Sequence, residues 1–226
     1  AFIAVILLFS SALSFAIEVE DIFILPSFTV DATEGAGSSG FIVHTTNTTT
    51  DIDTDCPSPE AYTWSVSGGV QGLDWEFAEG TAANDVTVAI EFMTQGCYQI
   101  QMSVLECATQ NNATPIDITV AGQPNITFND ISSLSSCTNI NVGTLWQLAS
   151  NNNLSVDFEI LLDGNPLSSN TYIASTSCTT PGLVDFAEVF STGFLIAGMH
   201  QLVFNATGDI NTVTTTVVID FEISQA

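Results

Sequence analysis

The feature that most constrains the fold of this chain is a two-residue alternation of apolar and polar side chains. It is clearest at Leu154–Ile160 and Val217–Ile223, and it recurs in five segments of the first half: Phe41–Thr45, Tyr62–Val66, Val86–Met93, Tyr98–Leu105 and Ile116–Val120. Because successive side chains of a strand point to opposite faces, this period predicts half-buried β-strands. Residues typical of turns separate the strands at 34–40, 47–59, 80–85 and 163–166. The chain beyond residue 22 is therefore expected to be all-β, without helices.

Length and internal similarity indicate two domains. The 226 residues, 46% of them hydrophobic, suffice for one large or two modest cores. Ala121–Pro124 interrupts the alternation, and Gly96–Met102 aligns with Gly198–Phe204, each a glycine followed by an alternating strand. The predicted division is an apolar assembly or anchor segment at 1–22, a first sandwich at 23–122 and a second at 123–226.

The first half resembles a known module over about residues 40–120. Tyr62–Val66, then Asn84–Phe92, then Gly96–Val104 follow the strand order of PKD-type Ig-like domains. Ser67–Gly69 stands where that family usually carries an Asp-Phe-Gly-Asp run. The resemblance implies an Ig-like β-sandwich, and the second half resembles such a sandwich generically. The expected fold is two Ig-like β-sandwich domains preceded by an apolar helix or a donated strand.

Charge restricts function more than any motif does. The chain has 25 acidic residues, no lysine and no arginine, for a net charge of −25. Binding of nucleic acid is excluded, because neutralising the phosphates needs lysine and arginine side chains. Enzymes that transfer phosphoryl groups usually hold the phosphates with the same cationic side chains, which this chain lacks. A chain without lysine or arginine resists trypsin-like proteases, and its carboxylates become neutral in acid. Both properties favour an extracellular location.

The N-terminal segment is a candidate for assembly. Ala1–Ile17 carries no charge, and as a helix it would span about 25 Å. It resembles the N-terminal helices of type IV pilins and archaeal flagellins, which bundle into a filament core. Val5 stands where bacterial pilins carry Glu, which leaves an archaeal-type filament open. Two alternatives are an extended arm, Ile22–Leu25 with Phe28–Val30, donated to a neighbouring sandwich, and a retained membrane anchor or signal remnant.

The cysteines favour an oxidising compartment. If Tyr62–Val66 pairs antiparallel with Tyr98–Leu105, Cys56 lies beside Cys107, whereas Cys97 lies about 33 Å from Cys107 along one strand. We predict Cys56–Cys107 and Cys137–Cys178 bridges, with Cys97 unpaired or joined to another subunit. Five free thiols in a reducing setting remain the alternative. The spacing matches no zinc site; the five are Cys56, Cys97, Cys107, Cys137 and Cys178.

Two kinds of surface site are candidates. Asp51, Asp53 and Asp55 alternate in a loop as calcium ligands do, although Cys56 stands where an EF-hand needs Gly. Calcium is the only cofactor that the sequence suggests. Without a bound ion, this segment is expected to be a solvated acidic loop. Five sequons permit glycosylation, at Asn47, Asn112, Asn125, Asn153 and Asn205.

Aromatic residues and histidines suggest no catalysis. Trp64 alternates with core positions, whereas Trp75 is the better candidate for an exposed, sugar-binding ring, with Trp146 a further possibility. His44 and His200 lie in predicted strands, and His200 aligns with Tyr98, which favours a half-buried structural role. No nucleophile-elbow spacing accompanies them, so an enzyme is not expected.

These observations predict a structural subunit of an extracellular, pilus-like filament that polymerises with itself through residues 1–22. Membrane contact is expected only before assembly or through that segment. The alternative is a surface-anchored or secreted adhesin or ligand-binding protein with PKD/Ig-like domains.

Overall fold

The computed structural model describes residues 25–37, 40–50, 61–106, 108–128, 146–173, 183–185 and 196–223. These ranges contain sixteen β-strands and no α-helix, which agrees with the predicted all-β class. Within them, no helix has the length and apolar character needed to cross a membrane. The apolar segment 1–22, predicted to be a helix or a donated strand, lies outside the described residues.

Nine strands form the first sandwich. One sheet has the order β1-β3-β6-β5 and the other β2-β9-β7-β4, with β8 also pairing with β7. This is the A-B-E-D and G-F-C order of immunoglobulin constant domains, with β2 added parallel to β9. The strands are β1 Phe28–Val30, β2 Glu34–Ala36, β3 Phe41–Asn47, β4 Ala61–Ser67, β5 Trp75–Ala78, β6 Ala89–Phe92, β7 Gly96–Glu106, β8 Thr109–Asn112 and β9 Ile116–Ala121.

The core between these two sheets follows from the alternation. In β7 every second side chain, from Tyr98 to Val104, is buried. Trp64 on β4 packs edge-on against Phe28 at a ring-centroid distance of 5.0 Å, as a core tryptophan does. Each fully buried aliphatic or aromatic side chain contributes about 1.5–3 kcal/mol. The cluster comprises Phe28, Val43, Trp64, Trp75, Val88, Ile90, Phe92, Tyr98, Ile100, Met102, Val104, Ala113, Ile118 and Val120.

In the first sandwich, one sequence prediction is confirmed and two are corrected. The antiparallel pairing of β4 with β7 is confirmed, with Trp64 opposite Met102. Glu34–Ala36, predicted to be a turn, is instead β2, because its backbone adds to the edge of β9. Phe28–Val30, considered as part of a donated arm, is β1 and pairs with β3 of its own sandwich.

Seven strands form the second sandwich, in a three-stranded sheet β10-β11-β14 and a four-stranded sheet β13-β12-β15-β16. The predicted turn at Asp163–Pro166 contains a tight hairpin, since Asp163 and Gly164 both have positive φ, 50° and 77°, as a type I′ turn requires. The strands are β10 Asn125–Phe128, β11 Trp146–Ala149, β12 Ser155–Leu162, β13 Asn165–Ile173, β14 Leu183–Asp185, β15 Gly198–Gly208 and β16 Thr215–Ile223.

A second cluster of buried side chains lies between these sheets. Trp146 is central to it, with ring centroids 5.5 Å from both Phe158 and Phe204. Its members are Ile126, Trp146, Leu148, Val156, Phe158, Ile160, Leu162, Leu202, Phe204, Ala206, Phe221 and Ile223. Along the chain, Ala121–Pro124 separates this cluster from the first.

The internal repeat has a structural counterpart. β7 and β15 both have 11 residues and begin at a glycine, and their third residues, Tyr98 and His200, are both buried. Each strand pairs on both sides, β7 with β4 and β9, and β15 with β12 and β16. The strand position predicted for His200 is confirmed, but its side chain is buried rather than half-buried.

Candidate functional site

A polar groove lies on the outer face of the sheet β13-β12-β15-β16. Along β12, Val156, Phe158 and Ile160 enter the core, so Asp157 and Glu159 point away from it. The groove has a volume of about 750 Å³ and is open to solvent. Its lining consists of Asp157, Phe158, Glu159, Ser169, Asn170, Thr171, Asn205, Thr207 and Thr214.

Cross-strand register arranges the polar side chains of the groove in two rows. In the first row, Asp157 lies opposite Thr171 on one side and Thr207 on the other. The Thr171 hydroxyl donates to Asp157 Oδ1 at 2.6 Å, and the hydroxyl oxygens of Thr207 and Thr214 are 2.7 Å apart. These bonds fix the orientation of the four side chains.

The second row runs parallel to the first, two residues further along β12. Glu159 lies between Ser169 and Asn205, and Thr216 follows opposite Asn205. Asn205 Nδ2 donates to Glu159 Oε2 at 3.4 Å, and the Thr216 hydroxyl donates to Asn205 Oδ1 at 2.8 Å. Hydroxyl, amide and carboxylate groups thus alternate across the face and present both donors and acceptors of hydrogen bonds.

This groove was not predicted from the sequence, although a signal for it was present. Asp157 and Glu159 are the polar half of the alternation in β12, and Asn205 and Thr207 are the polar half in β15. Their meeting depends on the register between two strands that are far apart in sequence, and the alternation alone does not determine that register.

The joint between the two sandwiches is a second feature with functional meaning. The turn Asn151–Asn153 lies against the linker: Asn151 Nδ2 donates to Gln123 O at 2.6 Å, and Asn153 Nδ2 donates to Gly122 O at 2.8 Å. Asn151 and Asn152 have φ of 50° and 69°, which asparagine tolerates better than most residues. The local sequence Asn-Asn-Asn therefore supplies both the backbone conformation and the linker contacts.

Further bonds cross the same joint. The Gly122 amide donates to Asn151 O at 2.8 Å, and Asn152 Nδ2 donates to Val120 O at 3.2 Å. From the other side, Gln123 Nε2 donates to Thr214 O at 3.2 Å, and the Thr215 hydroxyl donates to Pro124 O. Most of these bonds attach the linker to the second sandwich, and the bond to Val120 O connects that sandwich to β9 of the first.

His44 lies between two carboxylates on the outer face of the sheet β1-β3-β6-β5. Its Nδ1 is 2.8 Å from Asp31 Oδ2 and its Nε2 is 3.3 Å from Glu79 Oε2. The hydrogen bond to Asp31, followed by that to Glu79, raises the pKa of His44. Partial burial acts to raise the pKa of Asp31, but the hydrogen bonds from the His44 amide and ring outweigh it, so that this pKa is lowered.

His200 makes a comparable arrangement in the second sandwich. Its Nε2 is 2.8 Å from Ile196 O, its Nδ1 is 2.8 Å from Asp163 Oδ2, and its ring packs on Phe221. The bond to Ile196 O, and then that to Asp163, raise the pKa of His200, while the bond from His200 lowers the pKa of Asp163. Both ring nitrogens face acceptors, which favours the protonated ring.

The sign of the resulting pH dependence follows from these directions. A histidine with a raised pKa contributes stability that is complete below pH 6.5, the ordinary value, and is lost as pH rises through the folded value. The lowered aspartate pKa values add stability that is present above 3.8 and lost as pH falls through the folded values. We call these two groups the histidine clamps: His44 with Asp31 and Glu79, and His200 with Asp163 and the Ile196 carbonyl. Both clamps are therefore strongest in mildly acidic solution.

The tryptophans correct the prediction of an exposed sugar-binding ring. Trp75, the best candidate, is only 5% exposed, and Trp64 and Trp146 are each 2% exposed. Trp75 lies on β5 and points inward, with its ring edge-on to Phe77 at 5.6 Å. The core role predicted for Trp64 is confirmed. None of the three rings can stack on a ligand at the surface.

Cys97 corrects the prediction of an unpaired or intersubunit thiol, because it forms a disulfide within the chain. Its partner lies outside the described residues, as do Cys56, Cys107, Cys137 and Cys178. The predicted Cys56–Cys107 and Cys137–Cys178 bridges therefore stay predictions.

The other predicted surface sites have different outcomes. Asp51, Asp53 and Asp55, the calcium candidates, lie outside the described residues. Asn153 is 1% exposed and both its amide oxygen and nitrogen are bonded, so a glycan on Nδ2 would break the joint. The described structure thus argues against Asn153 as an acceptor, while the sequons at Asn47, Asn112, Asn125 and Asn205 stay predictions.

Comparisons with known proteins add structural matches only. Neither a protein-family model nor a curated protein matches the chain. Solved structures that match include the D0-D1 domain of intimin, with 14% identity, 90% of this chain and 100% of that chain covered, and a TM-score of 0.30. InvD of Yersinia pseudotuberculosis matches with 10% identity, 90% and 69% coverage, and a TM-score of 0.37. The chicken CNTN1 FN1-FN3 domains match with 11% identity, 89% and 66% coverage, and a TM-score of 0.38. Overlaps this low carry no argument, and the sandwich assignment rests on strand order.

Proposed function

We propose that this chain is an extracellular, surface-exposed adhesive protein whose tandem β-sandwiches present a polar binding face. The observation that carries the proposal is the joint, where the turn Asn151–Asn153 is hydrogen-bonded to Val120 of β9 and to Gly122 and Gln123 of the linker. Linkers between independent domains are usually flexible and make few contacts. A bonded linker instead maintains the orientation of a binding face relative to the domain behind it, which an adhesive protein under load requires.

Two further observations support an extracellular location. Cys97 is in a disulfide, and disulfides persist mainly in oxidising compartments. The absence of lysine and arginine removes the cleavage sites of trypsin-like proteases. Both properties are of use to a protein outside the cell and of little use inside it.

Adhesion can be tested with microspheres that carry the full chain. Their retention under shear flow is measured on surfaces coated with polysaccharide, with extracellular-matrix protein or with the chain itself, against microspheres that carry an unrelated acidic protein. We expect retention on at least one foreign surface and its loss when soluble chain is added in excess. Absence of retention on every foreign surface would reject the proposal.

A filament subunit is the second candidate, and the uncharged segment Ala1–Ile17 is the observation that favours it. An apolar segment of this length needs a partner surface, and other copies of the chain are the simplest source. Negative-stain microscopy of the full chain should then show polymers of uniform diameter, and deletion of residues 1–17 should leave a monomer. Dispersed particles from the full chain would reject this candidate and leave adhesion unaffected.

A further inference from the structure

We propose that the polar groove on the sheet β13-β12-β15-β16 binds a neutral, hydroxyl-rich ligand, an oligosaccharide segment. The inference rests on the proposed adhesive function and specifies the ligand class for it. Nine residues line the groove, and the side chains of eight of them carry hydroxyl, amide or carboxylate groups. This lining differs from the mostly apolar lining of typical ligand pockets, so a ligand that fits it must itself be polar.

The hydrogen-bonding capacity of the groove matches that of sugar hydroxyls. Among the described residues, Asp157 Oδ2, Glu159 Oε1 and the Ser169 hydroxyl have no partner, whereas the other oxygen of each carboxylate is already bonded. Each carboxylate therefore retains one strong acceptor in a held orientation. A sugar hydroxyl can donate to such an oxygen and accept from a neighbouring threonine or asparagine.

The charge of the site excludes anionic ligands. Asp157 and Glu159 occupy the centre of the groove, and its lining contains no basic side chain. Acidic polysaccharides, phosphates and nucleic acids would all be repelled. A basic peptide would be attracted, but to the whole surface, since the net charge is −25, and the alternation of hydroxyl and amide groups would add nothing to its binding.

A metal ion is also a poor occupant. Only Asp157 and Glu159 carry carboxylates among the residues that line the groove, whereas Ca²⁺ takes about 6–8 oxygen ligands. In the described ranges, no group of three or more His, Cys, Asp or Glu side chains could hold a metal ion. The volume of about 750 Å³ is instead within the range of pockets that hold organic ligands.

The test is binding of the full chain to an array of neutral and anionic oligosaccharides, followed by calorimetric titration with the strongest neutral binder. The test variant combines Asp157→Asn with Glu159→Gln. A matched control combines Asp220→Asn with Glu222→Gln, a pair with the same spacing on β16 of the same sheet but outside the groove lining. Thr207→Val removes one groove hydroxyl at nearly constant volume.

We expect the Asp157/Glu159 variant to weaken binding by about tenfold or more in Kd, since hydrogen bonds to charged groups are stronger than those to neutral amides. The Asp220/Glu222 variant should bind as the unchanged chain does. Thr207→Val should weaken binding to a smaller extent, and unchanged thermal melting shows that each variant is folded.

Three results would overturn the proposal: preference for anionic oligosaccharides, loss of binding on addition of a chelator, or no binding by the unchanged chain. Microspheres that still adhere when the groove is altered would reject the groove as the binding site but leave the adhesive function in place.

Discussion

Replacement of Asn153 by alanine tests the joint directly. The Asn153 side chain donates to Gly122 O and to Ser150 O, and its Oδ1 accepts from the Asn211 amide at 2.8 Å and the Ile210 amide at 3.3 Å. In the alanine variant two of these groups keep another bond: Ser150 O still accepts from the Asn153 amide, and the Ile210 amide still donates to Asp209 Oδ1.

Two backbone groups lose the partner that Asn153 provides, Gly122 O and the Asn211 amide, and both residues are buried. Each buried group left unsatisfied costs about 1–3 kcal/mol, so Asn153→Ala should lower the free energy of unfolding by roughly 2–6 kcal/mol. Domains of this size are stable by about 5–15 kcal/mol. The loss should therefore be visible as a clear shift of the unfolding midpoint.

The assay is urea denaturation followed by tryptophan fluorescence and circular dichroism. Hydrogen exchange measured over residues 209–213 should also accelerate, because the Asn211 amide loses its acceptor. Asn112→Ala is the control: Asn112 is exposed and accepts one side-chain bond, from Ser103 at 2.7 Å, so a change within about 0.5 kcal/mol is expected. If both variants unfold at the same urea concentration, the reasoning about the joint is wrong.

Three further predictions address the clamps, the disulfide and a close backbone approach. The melting temperature should fall as pH rises from 5.5 to 8, a range in which ordinary carboxylates stay ionised. This dependence on pH should be weaker in His44→Gln and in His200→Gln. An equal dependence on pH in all three proteins would refute the stabilising role of the histidine clamps. Peptide mapping without reduction should find Cys97 cross-linked within one chain; an intermolecular peptide would contradict this. Gly68→Ala should lower the free energy of unfolding by at least about 1 kcal/mol more than Gly72→Ala does. Both glycines have positive φ, but only at Gly68 would an added Cβ lie 2.1 Å from Cys97 O. Equal melting temperatures of the two variants would refute the close approach.

The sequence pattern correctly predicted those features that depend on the two faces of a single strand. The alternation at Tyr98–Leu105 and Leu154–Ile160 correctly predicted β7 and β12, since a period of two places every second side chain in the core. The position of His200 on a strand was predicted from its alignment with Tyr98, although its side chain is more deeply buried than expected. The turn at Asp163–Pro166 was likewise identified from residue type, because Asp-Gly favours the positive φ values of a tight hairpin.

The same pattern predicted wrongly, or did not predict, those features that depend on contact with a segment distant in sequence. Glu34–Ala36 becomes a strand only because the edge of β9 accepts it, and Trp75 is buried only because β5 closes one sheet over the core. Asn153 resembles any other sequon until the linker packs against it.

The sequence by itself therefore determined the class of structure, the acidic character of the chain, and the faces of the long strands. Tertiary structure alone decided which polar faces meet. The groove needs the register of Asp157 with Thr171 and Thr207, and the joint needs the turn Asn151–Asn153 to reach Gly122. Register and docking are set by the packing of both cores together, and that information is distributed over the whole chain.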